Sequence, residues 1–179
     1  MNESQLIDLS IQWSIRVSCG LVYGRLLYRL WKRNGNAVEP GRLEYRMWVI
    51  ALLLFGLHVF LAFHYVHHWR HENAWQQTAV ETEDLVGIRR GDGIWANYLM
   101  LAIWCVDVLR LHRARFLNRP TSVGIDRFLA LFIGFMFFNA TFVFGPIFYR
   151  YLFFPTFILT IWVWQSSVHR QSKVDESAQ

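Results

Sequence analysis

Apolar residues fall along this chain in long blocks rather than in alternation, which predicts membrane-spanning helices rather than strands or amphipathic surface helices. A bilayer core about 30 Å thick needs roughly 20 mostly apolar helical residues. The clearest block is residues 47–66 (MWVIALLLFGLHVFLAFHYV), which carries no Asp, Glu, Lys or Arg. Residues 94–111 form a second block, interrupted by Asn97 and Asp107, and residues 128–144 a third that is almost uniformly apolar. Residues 147–166 follow with Pro155 and one charge, Arg150. The weakest block, residues 11–30, carries Arg16, Arg25 and Arg29. It reads as a span whose lower arginines snorkel to the headgroups, with a helix lying on the membrane surface as the fallback. The expected fold is all-α: a single integral membrane helical bundle over residues 1–170, of about five spans, with a polar tail at 171–179.

Between the second and third spans, residues 69–93 are polar. No Gly or Pro occurs from His64 to Asp84, and Gly87 is the first helix breaker after Gly56. The second span is therefore expected to run on as one helix to about Leu85. At 1.5 Å per residue the part beyond Trp69 projects by about 24 Å. Gly91-Asp92-Gly93 then permits a tight turn back.

Composition sharpens this picture. Apolar residues make up 54% of the 179, charged residues only 17%, and mean hydropathy is +0.22. Disordered chains have the opposite balance, and two cysteines make no disulfide scaffold. A net charge of +5 in a soluble protein points to nucleic acid. Here the basic residues flank apolar blocks, so they read as topology determinants, and no nucleic-acid partner is expected. Residues 24–46 hold six Lys/Arg and two Glu, and residues 110–127 hold five Arg and one Asp. Residues 69–93 hold three Arg and five Asp/Glu. The basic loops belong on the cytoplasmic side, which puts the N-terminus outside and the C-terminus in the cytoplasm. The first ten residues are polar and lack a basic leader region, so no cleavable signal is expected.

Five of the seven histidines, His58, His64, His67, His68 and His71, fall within fourteen residues. On a continuous helix His64, His68 and His71 lie within about 60° of one another. Imidazoles at i and i+4 can share a metal, and Glu72 could complete the set. The metal candidates are thus His64, His68, His71 and Glu72, at the outer membrane boundary. His58, at mid-membrane depth, is the haem-ligand candidate. One copy of the chain offers it no second histidine at that depth, so the partner would be His58 of a second copy. The competing readings are structural, namely interfacial histidines bonded to water, lipid or carboxylates and a His58 hydrogen bond to Asn139 or to a backbone carbonyl, or else a proton-sensing switch. His64-x-x-His67-His68 matches one histidine box of membrane desaturases. Those enzymes need about eight histidines in three boxes, which this chain does not have.

Other polar groups in the spans read as structural. Asp107 is expected to pair with Arg110 on the same helix face, or with Arg46. Without further carboxylates at other depths, a proton-coupled transporter is not expected. Cys19 and Cys105 read as buried thiols. Gly20 and Gly24 form a GxxxG pattern that suits a close helix contact. Neither nucleotide-binding loops nor hydrolase motifs appear.

The segments FHYVHHW (63–69), HENAWQQTAVETED (71–84), GDGIWANY (91–98) and FFNATFVFGP (137–146) together resemble a group of uncharacterised bacterial multi-pass membrane proteins, over roughly residues 47–150. The resemblance implies a bacterial inner-membrane location and no particular activity. The expected role is non-enzymatic: an accessory or structural subunit of a membrane complex. Its expected partners are the bilayer and other membrane subunits or further copies, met through aromatic helix faces and residues 69–85. The rival is a metal- or haem-binding membrane protein built on the histidine cluster.

Overall fold

The computed structural model describes residues 2–32, 41–117, 119, 121–143, 145 and 147–177, and their side chains apart from positions 123, 150, 153 and 170–177. Residues 33–40 of the first basic loop, position 144 at the end of the fourth expected span, Pro146 and the last two tail residues lie outside the described set. Among the described residues six α-helices follow one another: α1 (Glu3–Trp31), α2 (Arg42–Leu61), α3 (His71–Val86), α4 (Gly93–Phe116), α5 (Val123–Phe138) and α6 (Ile147–Ser177). Two π turns, Ala62–Val66 and Asn139–Val143, extend α2 and α5. Among the described residues, four segments are long and apolar enough to cross a membrane: Arg42–Val66, Gly93–Phe116, Gly124–Val143 and Ile147–His169. At 29 residues α1 has the length but falls short in apolarity. The tail expected from residue 171 continues α6 as helix to Ser177.

Local sequence explains how α1 starts. Asn2 accepts a hydrogen bond from the Gln5 amide at 3.0 Å and the Gln5 side chain accepts one from the Asn2 amide at 3.1 Å, a reciprocal cap that satisfies two orphan donors. From there α1 and α2 form the most extensive helix pair of the fold. The Ile11 carbonyl pairs with His58 Nδ1 at 2.9 Å, Ser18 Oγ donates to the Ala51 carbonyl at 2.7 Å, and Arg29 Nε meets Glu44 Oε2 at 3.1 Å. As numbers rise along α1, partners fall along α2, so the two run antiparallel in a fixed register. Gly24 lets them approach: a β-carbon there would lie 3.1 Å from Met47 Cε. Of the GxxxG pair, only Gly24 has a neighbour this close; around Gly20 there is open space.

Behind this pair, α2, α4 and α5 share an aromatic core. Trp48 and Trp104 rings sit 4.7 Å apart, and Phe55, Trp104 and Phe137 are mutually 5.9 Å apart, two of these pairs edge-on. Each such pair is worth about 0.5–1.5 kcal/mol beyond its area. Helix α6 joins through α1: Tyr23 Oη donates to the Thr156 carbonyl at 2.6 Å and lies 2.8 Å from the Thr160 hydroxyl.

One expectation is overturned here. The second span does not run on to Leu85 as one helix. After the π turn, closed by His67 N–H to the Ala62 carbonyl at 3.0 Å, His68 and Trp69 take left-handed conformations with φ of 51° and 58°. Arg70 is extended and α3 starts afresh at His71. The expectation rested on the lack of Gly and Pro, yet the turn is made by a His and a Trp. Each left-handed residue costs about 1–2 kcal/mol. Hydrogen bonds across the turn compensate: Trp69 N–H donates to the Phe63 carbonyl at 2.9 Å, and Asn73 Nδ2 to the His67 carbonyl at 3.0 Å. The far end of α3 agrees with the sequence reading, ending at Val86 with Gly87 at φ 73°. Instead of projecting, α3 folds back on the start of α4, burying Ala74 and Ala79. Gly91 is required there, because a β-carbon would run into the Trp75 carbonyl oxygen.

Candidate functional site

The histidine segment forms the corner between α2 and α3. His64 stacks on Phe60, the rings 6.1 Å apart and 3° from parallel, and its Nδ1 accepts from Trp69 Nε1 at 3.2 Å. Phe60 and Phe63 pack against the Trp69 ring at 5.5 and 6.1 Å. His67 meets the edge of Phe63 at 5.3 Å. Across the turn, His71 Nδ1 pairs with Tyr98 Oη at 3.0 Å and its ring lies 5.1 Å from Trp95. His68 is exposed on the left-handed turn, and Glu72 bonds to Gln76 at 3.1 Å on its own helix.

The helical break removes the geometric premise of the metal site. His64, His68 and His71 share one stripe only on an unbroken helix. Here His64 serves the α2 end and His71 the α4 contact, with two left-handed residues between them. A bonded Nδ1 does not by itself bar ligation through Nε2; what fails is convergence. Among the described residues, no group of three or more His, Cys, Asp or Glu side chains lies close enough to hold a metal ion. His58, the haem candidate, bonds the Ile11 carbonyl and stacks on Phe55 at 6.4 Å. That is the backbone-carbonyl alternative raised from the sequence.

Burial alters one ring outside the spans. The His67 imidazole is pushed below its ordinary value by burial, partly offset by Glu81, with His68 adding to the lowering.

A second polar constellation lies at the opposite end of the bundle. Arg110 Nη2 bonds Asp107 at 2.8 Å, as the sequence reading expects, and also reaches Asp126 at the start of α5. The second Asp107 oxygen accepts from Trp48 Nε1 at 2.9 Å, and the second Asp126 oxygen from Thr121 at 2.9 Å. Arg25 lies over the Trp48 ring at 4.0 Å, within the field of Glu44, Asp107 and Asp126. Asp107 and Asp126 are almost fully buried, so both carboxylates depend on these partners. Side chains from α1, α2, α4 and α5 thus meet in one charged knot.

Sequence reasoning found Asp107–Arg110 and missed Asp126, because residues 110–127 read as one basic loop. The available signal was Asp126 itself, one acid in the first turn of a helix that starts at Val123 rather than at 128. Trp48 as a hydrogen-bond donor carried no signal at all, since its partner lies 59 residues away. No family model, curated protein or solved structure matches this chain.

Proposed function

We propose that this chain is a five-span membrane subunit, N-terminus outside and C-terminus cytoplasmic, that binds other membrane proteins rather than carrying out catalysis. Membership of α1 among the spans is supported by its register: a helix bonded antiparallel to α2 from Ile11–His58 to Arg29–Glu44 crosses the same depth as α2. On the resemblance of residues 47–150, the location is the bacterial inner membrane.

The observation that carries the subunit reading is α6. Its apolar window buries 6% against the rest of the chain, whereas the other three candidate spans bury 17% to 28%. An apolar span this sparsely covered has room for another protein along most of its length. The intramembrane charges support the same reading, because Asp107, Arg110 and Asp126 hold one another and so act as ties between helices.

A photo-reactive residue placed at Ile158 or Trp162, both about two-thirds exposed, tests it in cells. The expected result is a discrete cross-link to one membrane protein or to a second copy. Lipid adducts alone at both positions would sink the subunit reading. So would a Soret band, or stoichiometric metal lost on His64→Ala and His71→Ala, in the detergent-purified protein.

A further inference from the structure

Beside the charged knot, α2 and α4 enclose an open groove of about 440 Å³ lined by Arg42, Tyr45, Arg46, His112, Arg115 and Phe116. Three arginines and a histidine are among the residues that line it, and among the described residues the lining contains no carboxylate. Arginine stays charged at any physiological pH and presents a planar fork suited to phosphate. Among the described residues Arg42 and Arg46 make no ion pair. Glu44, the acid between them, is buried and held by Arg29 of α1.

The walls are tied together rather than loosely apposed. Tyr45 Oη and His112 Nδ1 lie 3.2 Å apart across the two helices, and the Arg115 guanidinium sits over the Tyr45 ring at 5.2 Å. The depth is informative too. Arg42 opens one candidate span and Phe116 closes another, which puts the groove at headgroup level, where basic pockets between helices take up anionic lipids.

We propose that this groove binds a phosphate-bearing anion, met as the headgroup of an anionic phospholipid or as free phosphate. The inference rests on the membrane reading for its depth, but its chemistry is tested apart from topology. Full-length protein in neutral detergent is titrated with phosphatidylglycerol, with phosphatidylcholine and with inorganic phosphate, and bound ligand is counted by native mass spectrometry and calorimetry. The expected result is one site for phosphatidylglycerol or phosphate and none of comparable strength for phosphatidylcholine. Arg46→Gln with Arg115→Gln should weaken that site about thirtyfold, at the strength usual for two arginines near an anionic surface. Arg42→Gln alone should weaken it less, and Arg89→Gln with Arg90→Gln at the other end should leave it unchanged. Lipid binding without phosphate binding identifies the headgroup as ligand, and the reverse identifies the free anion; either supports the site. Binding of neither, equal binding of the two lipids, or equal loss in the control variant overturns it. Labelling that contradicted the threading would leave this result standing.

Discussion

At the scale of single residues, the fold depends most on side chains that satisfy a charge or tolerate strain. Arg110 bridges two nearly buried carboxylates from α4 and α5. Replacing it with Met removes the one cation that bonds both Asp107 and Asp126 among the described residues. Breaking a buried pair from one side costs about 3–5 kcal/mol, so Arg110→Met should unfold in milder denaturant, and adding Asp107→Asn with Asp126→Asn should restore part of the loss. A recovery of nothing would mean that the ionic ties are not what Arg110 contributes. His68 makes the opposite case. It sits exposed at φ 51°, where glycine carries no steric penalty and a β-branched residue carries the largest. Thermal melts should rank His68→Gly near the parent and His68→Val lower by about 1–2 kcal/mol; equal melts would show that the turn is not left-handed in solution.

Among the elements, the corner between α2 and α3 should respond to pH. The folded state holds His67 below its ordinary value, so the unfolded chain binds more protons than the folded one in that range. Stability then rises with pH: the contribution is present above the ordinary histidine value and is lost as pH falls through the lower folded one. Melting temperatures followed from pH 7 down to pH 5 should decline, and His67→Gln should flatten the decline. The same slope in parent and variant would assign the effect to other groups. Both π turns lie at this end of the bundle, each just before the chain leaves a helix that is long and apolar enough to span. A π turn adds a residue to the helical ladder and is often found at functional positions. Here it re-aims the end of α2 so that Trp69 N–H reaches the Phe63 carbonyl.

For the whole molecule, the threading is the decisive expectation. In a background with Cys19 and Cys105 replaced by Ala, a cysteine at Ser4 or Gln76 should react with an impermeant thiol reagent in intact cells. One at Asn36 should react only after the membrane is opened. A Ser4 position as shielded as Asn36 in intact cells would put α1 on the cytoplasmic surface and reduce the spans to four.

The sequence by itself determined the class of this protein, because desolvation is a composition effect: blocks of apolar residues about as long as a bilayer is thick have few other places to go. It also determined the Asp107–Arg110 pair, three residues apart on one helix, and the end of α3 at Gly87, both local matters. The tertiary structure alone decided the geometry of the α2–α3 corner and everything that depended on residues distant in the chain. Aromatic contacts from Phe60 and Phe63 to Trp69 stand against the strain of a left-handed turn at His68 and Trp69, which no local propensity foretells. That turn scattered the histidine stripe. Packing of α2 on α4 also brought together the Trp48–Asp107 bond and the Tyr45–His112 groove. Periodicity reports which way a side chain points along its own helix, and carries no information about which helix it meets.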